Sequence, residues 1–303
     1  MLTTLLSPEQ SRRETFVDPF VTWEWCESHR DEIVIVDARW YWDRPGADAY
    51  RGGHIPGAVF VDLDADLTGE IGERTGRQPF PEPERFARAM SVAGIDGRSP
   101  VVAYDDAAGV IAARLVWMLR ILGVPAAVLS GGINTYPGEL TTNVPRPEAA
   151  DFPSRPWPEG ALWSTSDVAT RTTGTLVDAR PANRYRGEEP EVDRALGKVP
   201  EADPRRGHIL GAINVPCRDN LRGDGTISSP ERLRDTFEAV GIKDASTVIS
   251  YCGAGVTACH NLLAMEYAGL GKGILYPGSW SAWSRTPELP AETADARGAS
   301  HGG

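Results

Sequence analysis

One phrase occurs twice in this 303-residue chain, and it constrains the fold more than any property of the whole. Val34-Ile35-Val36-Asp37-Ala38-Arg39 is followed by Gly53-His54-Ile55-Pro56-Gly57-Ala58; later, Thr175-Leu176-Val177-Asp178-Ala179-Arg180 is followed by Gly207-His208-Ile209-Leu210-Gly211-Ala212. A second pair of segments keeps the same order. Val101-Val102-Ala103-Tyr104-Asp105 matches Val248-Ile249-Ser250-Tyr251-Cys252, which sets Asp105 opposite Cys252. Self-similarity at this spacing means one structural unit used twice. In each unit short apolar runs alternate with helical patterns, such as 110–122 and 257–268, which predicts an α/β domain with a mainly parallel sheet flanked by helices. The expected organisation is a first unit over 1–142, a proline-rich surface linker over 143–160, a second unit over 161–290 and a flexible tail over 291–303.

The register places a cysteine at the most informative point of the second unit. A β-rich run ends at Tyr251, a helical pattern opens at Thr257, and between them stand Cys252, Gly253, Ala254, Gly255 and Val256. Small residues let the backbone curl so that its N–H groups converge, forming a nest for negative charge. The positive end of the following helix favours a thiolate at the same spot. In open sheets ligands gather beyond the strand C-termini, where Asp105 and Cys252 both fall.

Cys-Gly-Ala-Gly-Val-Thr resembles the active-site loop of the rhodanese family of sulfurtransferases, and within it the Cys-Gly-Ser-Gly-Val-Thr loop of the mercaptopyruvate branch. The likeness covers nearly the whole chain and implies two tandem rhodanese-like domains, the first inactive with Asp105 in place of the cysteine. It implies that Cys252 is the catalytic residue, carrying sulfur as a persulfide. Gly253, Ala254, Gly255, Val256 and Thr257 would then form the persulfide cradle, with Arg184 binding the donor. Thiosulfate-specific relatives carry cations inside the loop, whereas Gly253 and Ala254 are neutral. The expected reaction is transfer of a sulfane sulfur from 3-mercaptopyruvate to a thiol or cyanide. The alternatives are a thiosulfate sulfurtransferase and a non-enzymatic carrier that hands persulfide to a protein partner.

The chain departs from that branch in two places. The serine two positions after the cysteine is Ala254 here, and the second binding arginine falls near Asp193, leaving Arg194 or Arg186 to replace it. His54 aligns with the family histidine, with Asp43 or Asp48 as its acidic neighbour, although membership of the repeated phrase equally suits a structural role. A cysteine phosphatase would need a longer loop ending in arginine, and Ala258 stands there instead. No metal and no organic cofactor is expected. Cys252, Cys259 and His260 lack zinc-site spacing, and Cys259, two turns into the helix, reads as core.

With 31 basic against 42 acidic residues, the net charge of -11 opposes a nucleic-acid partner. No apolar run reaches membrane length, and the start of the chain lacks the basic region of a signal peptide. Four scattered cysteines show no disulfide framework, which suits a cytoplasmic protein.

Overall fold

The computed structural model describes residues 17–188 and 203–293. Its strands in chain order are β1 (Phe20–Val21), β2 (Val34–Asp37), β3 (Val59–Phe60), β4 (Val101–Tyr104), β5 (Ala126–Leu129), β6 (Thr175–Asp178), β7 (His208–Ile209), β8 (Ile213–Asn214), β9 (Val248–Tyr251), β10 (Ile274–Leu275) and β11 (Ala291–Glu292). The first unit is a five-stranded sheet in the order β1-β5-β4-β2-β3, and the second a four-stranded sheet in the order β10-β9-β6-β8. Every pairing within these two sheets is parallel. Parallel sheets are covered on both faces, so their central strands read as unbroken apolar runs; β4 and β9 are buried along their whole length.

The repeated phrase builds the same buried network in both units. Asp37 accepts from its neighbour Arg39 and from the Tyr104 hydroxyl (2.9 Å), while Arg39 also donates to the Gly53 carbonyl. Asp178 and Arg180 pair in the same way, and Arg180 donates to the Gly207 carbonyl at 2.7 Å. These ions tolerate burial because each pair is closed and is further hydrogen-bonded by the groups around it. The network ties the end of one strand to the next chain crossing, fixing the strand ends where a site can form.

The two units share a core. One hydrophobic cluster runs from Val36 and Leu63 through the Ala113–Ile121 helix to Cys252, Leu262 and Leu275. That helix packs on the Ala258–Tyr267 helix of the second unit, and Arg120 bridges to Glu266 at 2.8 Å across the junction. Residues 143–158 have no regular structure, yet they are anchored rather than loose. Phe152 is buried against Phe86, and the Trp157 indole donates to the Pro81 carbonyl. Ala291 and Glu292, expected from sequence to open a flexible tail, instead pair antiparallel with β7, satisfying backbone groups on that strand edge.

Candidate active site

Cys252 follows β9 directly, so it stands at the C-terminal edge of the second sheet. Its loop curls through Gly255, whose φ of 76° is left-handed, and a Cβ there would lie 2.6 Å from the Pro277 carbonyl oxygen. Only glycine meets both conditions. The curl aims the Gly255 N–H at the cysteine sulfur, N to Sγ 3.1 Å. The loop carbonyls are held from behind. Cys252 O accepts from Trp280 N–H (3.0 Å), Gly253 O from Ser281 N–H (2.9 Å), and Gly255 O from Arg114 Nη1 (2.8 Å). Ser279 adds a hydroxyl that accepts the Cys252 N–H at 3.1 Å. With its oxygens turned away and an amide turned in, the loop is set to hold an anion on sulfur.

The first unit shows the same loop already filled. The Asp105 carboxylate accepts four backbone N–H groups, from Ala107 and Gly109 on one oxygen and Ile111 and Ala112 on the other, at 2.7 to 2.8 Å. Ala108, in register with Gly255, is also left-handed at φ 66°. A built-in carboxylate thus occupies in one domain the position that the cysteine sulfur holds in the other.

Two guanidinium groups crowd the outer side of the Cys252 loop. A methyl group placed on Gly253 would lie 3.1 Å from Arg77 Nη2 and 3.6 and 3.7 Å from the two terminal nitrogens of Arg184. Arg184 comes from the short Ala182–Arg186 helix that follows β6, and Arg77 from a loop of the first unit. Both bond Asp203, Arg184 at 3.5 Å and Arg77 more closely. Burial, the Arg180 charge and the Arg77 charge lower the Arg184 pKa, while Asp203 raises it. Arg180 itself lies over the Trp280 ring, 4.9 Å from its centroid. Beneath the loop, fully buried Arg114 has no carboxylate partner among the described residues and donates to the carbonyl oxygens of Gly255, Leu67, Gln78 and Pro79. Burial is the main cause lowering its pKa.

The remaining candidates separate clearly. Ala254 and Val256 are buried in the loop, and the half-buried Thr257 does not use its hydroxyl to cap the helix it precedes. Cys259 is buried with its thiol directed at the Gly255 carbonyl, and burial pushes its pKa up to about 12. Asp48 is not the neighbour of His54. It sits on the outer face of the Gly46–Gly52 helix, where it pairs with Arg51 in solvent. Asp43 likewise pairs with exposed Arg44. His54 is buried, with Nδ1 on the Tyr50 carbonyl and its ring on Tyr50; His208 repeats both contacts with Tyr185. The shared geometry makes these histidines parts of the repeated frame. Arg186 pairs with Glu188 at the surface, and Arg194 lies outside the described residues.

Sequence reasoning missed Arg77, Arg114, Asp203 and Ser279. Arg77 N–H meets Ser281 Oγ across 204 positions of sequence, a proximity no local pattern carries. No helix among the described residues is long and apolar enough to cross a membrane.

Together these elements define a two-domain α/β protein with a cysteine cradled at the end of a parallel sheet and two arginines beside its loop. The Rhodanese-like domain model matches residues 22–138 and 164–286, and the chain belongs to the rhodanese family. It is 36% identical over 277 residues to a Pseudomonas aeruginosa protein named "Probable 3-mercaptopyruvate sulfurtransferase", covering 87% of this chain and 93% of that one. It is 33% identical to the thiosulfate sulfurtransferase of Rattus norvegicus, covering 88% and 90%. Its fold matches the crystal structure of SseA from Escherichia coli, a 3-mercaptopyruvate sulfurtransferase, with a TM-score of 0.73 at 33% identity, covering 88% of this chain and all of that one.

Proposed function

We propose that the protein is a sulfurtransferase that takes a sulfur atom from 3-mercaptopyruvate onto Cys252 and passes it to a thiol or cyanide. The observation that carries this reading is the Gly255 N–H on the Cys252 sulfur, in a loop whose own side chains are neutral. The Cys252 thiolate attacks the donor sulfur and forms the S–S bond. The donor's C–S bond breaks, its electron pair moves onto C3, and the proton from the donor thiol ends there, giving pyruvate and an anionic persulfide. An acceptor then attacks the outer sulfur, the S–S bond breaks, and the thiolate returns. This is covalent catalysis in two half-reactions, so ping-pong kinetics are expected. The inward amide stabilises the charge that the outer sulfur gains.

Arg184 supports an α-keto acid donor, because a planar guanidinium matches a carboxylate in two parallel hydrogen bonds. The extra positive charge of Arg77 is the one feature that favours a second reading, with dianionic thiosulfate as donor and sulfite as leaving group. Thiols rather than disulfides at all four cysteines suit work in a reducing compartment such as the cytoplasm. The test is kcat/KM for the two donors with cyanide as acceptor. We expect the ratio to favour 3-mercaptopyruvate, and a ratio favouring thiosulfate overturns the donor assignment.

A further inference from the structure

We propose that Arg77, contributed by the first domain, is a donor-binding residue that acts with Arg184, and that Asp203 is an internal carboxylate holding their shared anion site until a donor replaces it. This rests on the reading of Cys252 as the sulfur acceptor, and it extends that reading to a side chain from the opposite domain.

Arg77 is placed by the second domain as well as its own. Its N–H donates to Ser281 Oγ at 3.1 Å, and the preceding Gly76, with φ 84°, packs so close that a Cβ would lie 2.7 Å from the Gly278 carbonyl oxygen. The backbone at 76–77 therefore rests on the same Gly278–Ser281 turn that ties back the carbonyls of the cysteine loop. The side chain then runs past the Trp42 ring, 5.8 Å from its centroid, to reach the space over Gly253. Its Nε is buried and, among the described residues, has no hydrogen-bond partner. A guanidinium so held and incompletely bonded is suited to donate to a further oxygen.

The charges around it do not cancel. Arg180 is matched by Asp178 within the repeated network. Arg77 and Arg184 share the single carboxylate of Asp203, whose side chain is 10% exposed. Among the described residues on the outer side of the loop, the three cations Arg77, Arg180 and Arg184 face the two carboxylates Asp178 and Asp203, an excess of one positive charge where an anionic donor must enter, with Arg114 beneath the loop adding to it. Asp203 lies between the two guanidiniums as a donor carboxylate would. A donor that takes this place exchanges one carboxylate for another, so the arginines need not be desolvated anew.

Displacing an internal ligand weakens apparent affinity by the fraction of time the site is free. The full chain should be compared with Arg77→Gln, Arg77→Lys and Asp203→Asn, each checked for native circular dichroism. For wild type, intact mass first establishes which donor loads one sulfur on Cys252. We expect Arg77→Gln to raise KM for that donor by about tenfold or more, with kcat changed much less. Arg77→Lys keeps the charge without the fork and should fall between. Asp203→Asn should lower KM, by up to about tenfold if the carboxylate holds the site nine-tenths of the time. That gain should disappear in the Arg77→Gln, Asp203→Asn double variant. An unchanged KM in Arg77→Gln, or a raised KM in folded Asp203→Asn, overturns the proposal. Loading by thiosulfate alone overturns the mercaptopyruvate assignment and leaves this clamp to be judged by the same KM shifts. Loading by neither donor overturns both.

Discussion

Replacing Asp105 tests whether the first domain is stabilised by a carboxylate sitting in a nest of amides. Each Asp105 oxygen accepts two peptide N–H groups in a fully buried site. Burial raises the carboxyl pKa and the four peptide donors oppose the rise. With both oxygens already accepting twice, a proton would face an N–H, so we place the group ionised. Asp105→Asn keeps one acceptor oxygen but turns an amide NH2 toward two N–H donors. A buried polar group left without its partner costs about 1–3 kcal/mol, so the two lost acceptances predict a loss of about 2–6 kcal/mol. Asp105→Ala strands all four donors and should lose more, less whatever entering water restores. The assay is urea unfolding followed by tryptophan fluorescence, in which the shared core should make both domains unfold together. Folded Asp105→Asn should keep the wild-type kcat/KM, because Asp105 belongs to the first domain's loop and not to the Cys252 loop. A stability change within about 0.5 kcal/mol, as for an ordinary surface substitution, would refute the argument.

Two further outcomes follow from the buried thiols and imidazole. Cys252→Ser should carry no added sulfur in intact-mass spectra after donor exposure, whereas Cys259→Ser should load as wild type does, since its thiol stays protonated in the core. His260, fully buried near Arg218, has its pKa lowered to about 3, first by burial and then by that charge. Between pH 6.5 and 3 the unfolded chain binds a proton that the native fold does not, so stability falls as pH falls across that window. The loss reaches about 2 kcal/mol by pH 5. Urea midpoints measured from pH 7 to pH 5 should show this slope flattened in His260→Gln, and an equal slope in both proteins contradicts it.

The repeat, the parallel α/β pattern and the cysteine between strand and glycine turn were legible because each is written in contiguous residues. Local backbone geometry follows local sequence: a left-handed turn needs a residue such as Gly255, and a strand buried on both faces needs a run such as Val248 to Tyr251. The same locality misled where a residue's partner was inferred from nearness in sequence. Asp48 lies six positions before His54, yet one helical turn points it into solvent. Arg77, Arg114 and Asp203 were invisible for the complementary reason. Their significance comes from packing one domain's helix and loop against the other's cysteine loop, and that depends on how two cores merge. Sequence alone determined the kind of domain, its duplication and the sulfur atom set at the end of the second domain's strand. Tertiary structure decided which charges surround that atom, because electrostatic fields act through space and take no account of chain order.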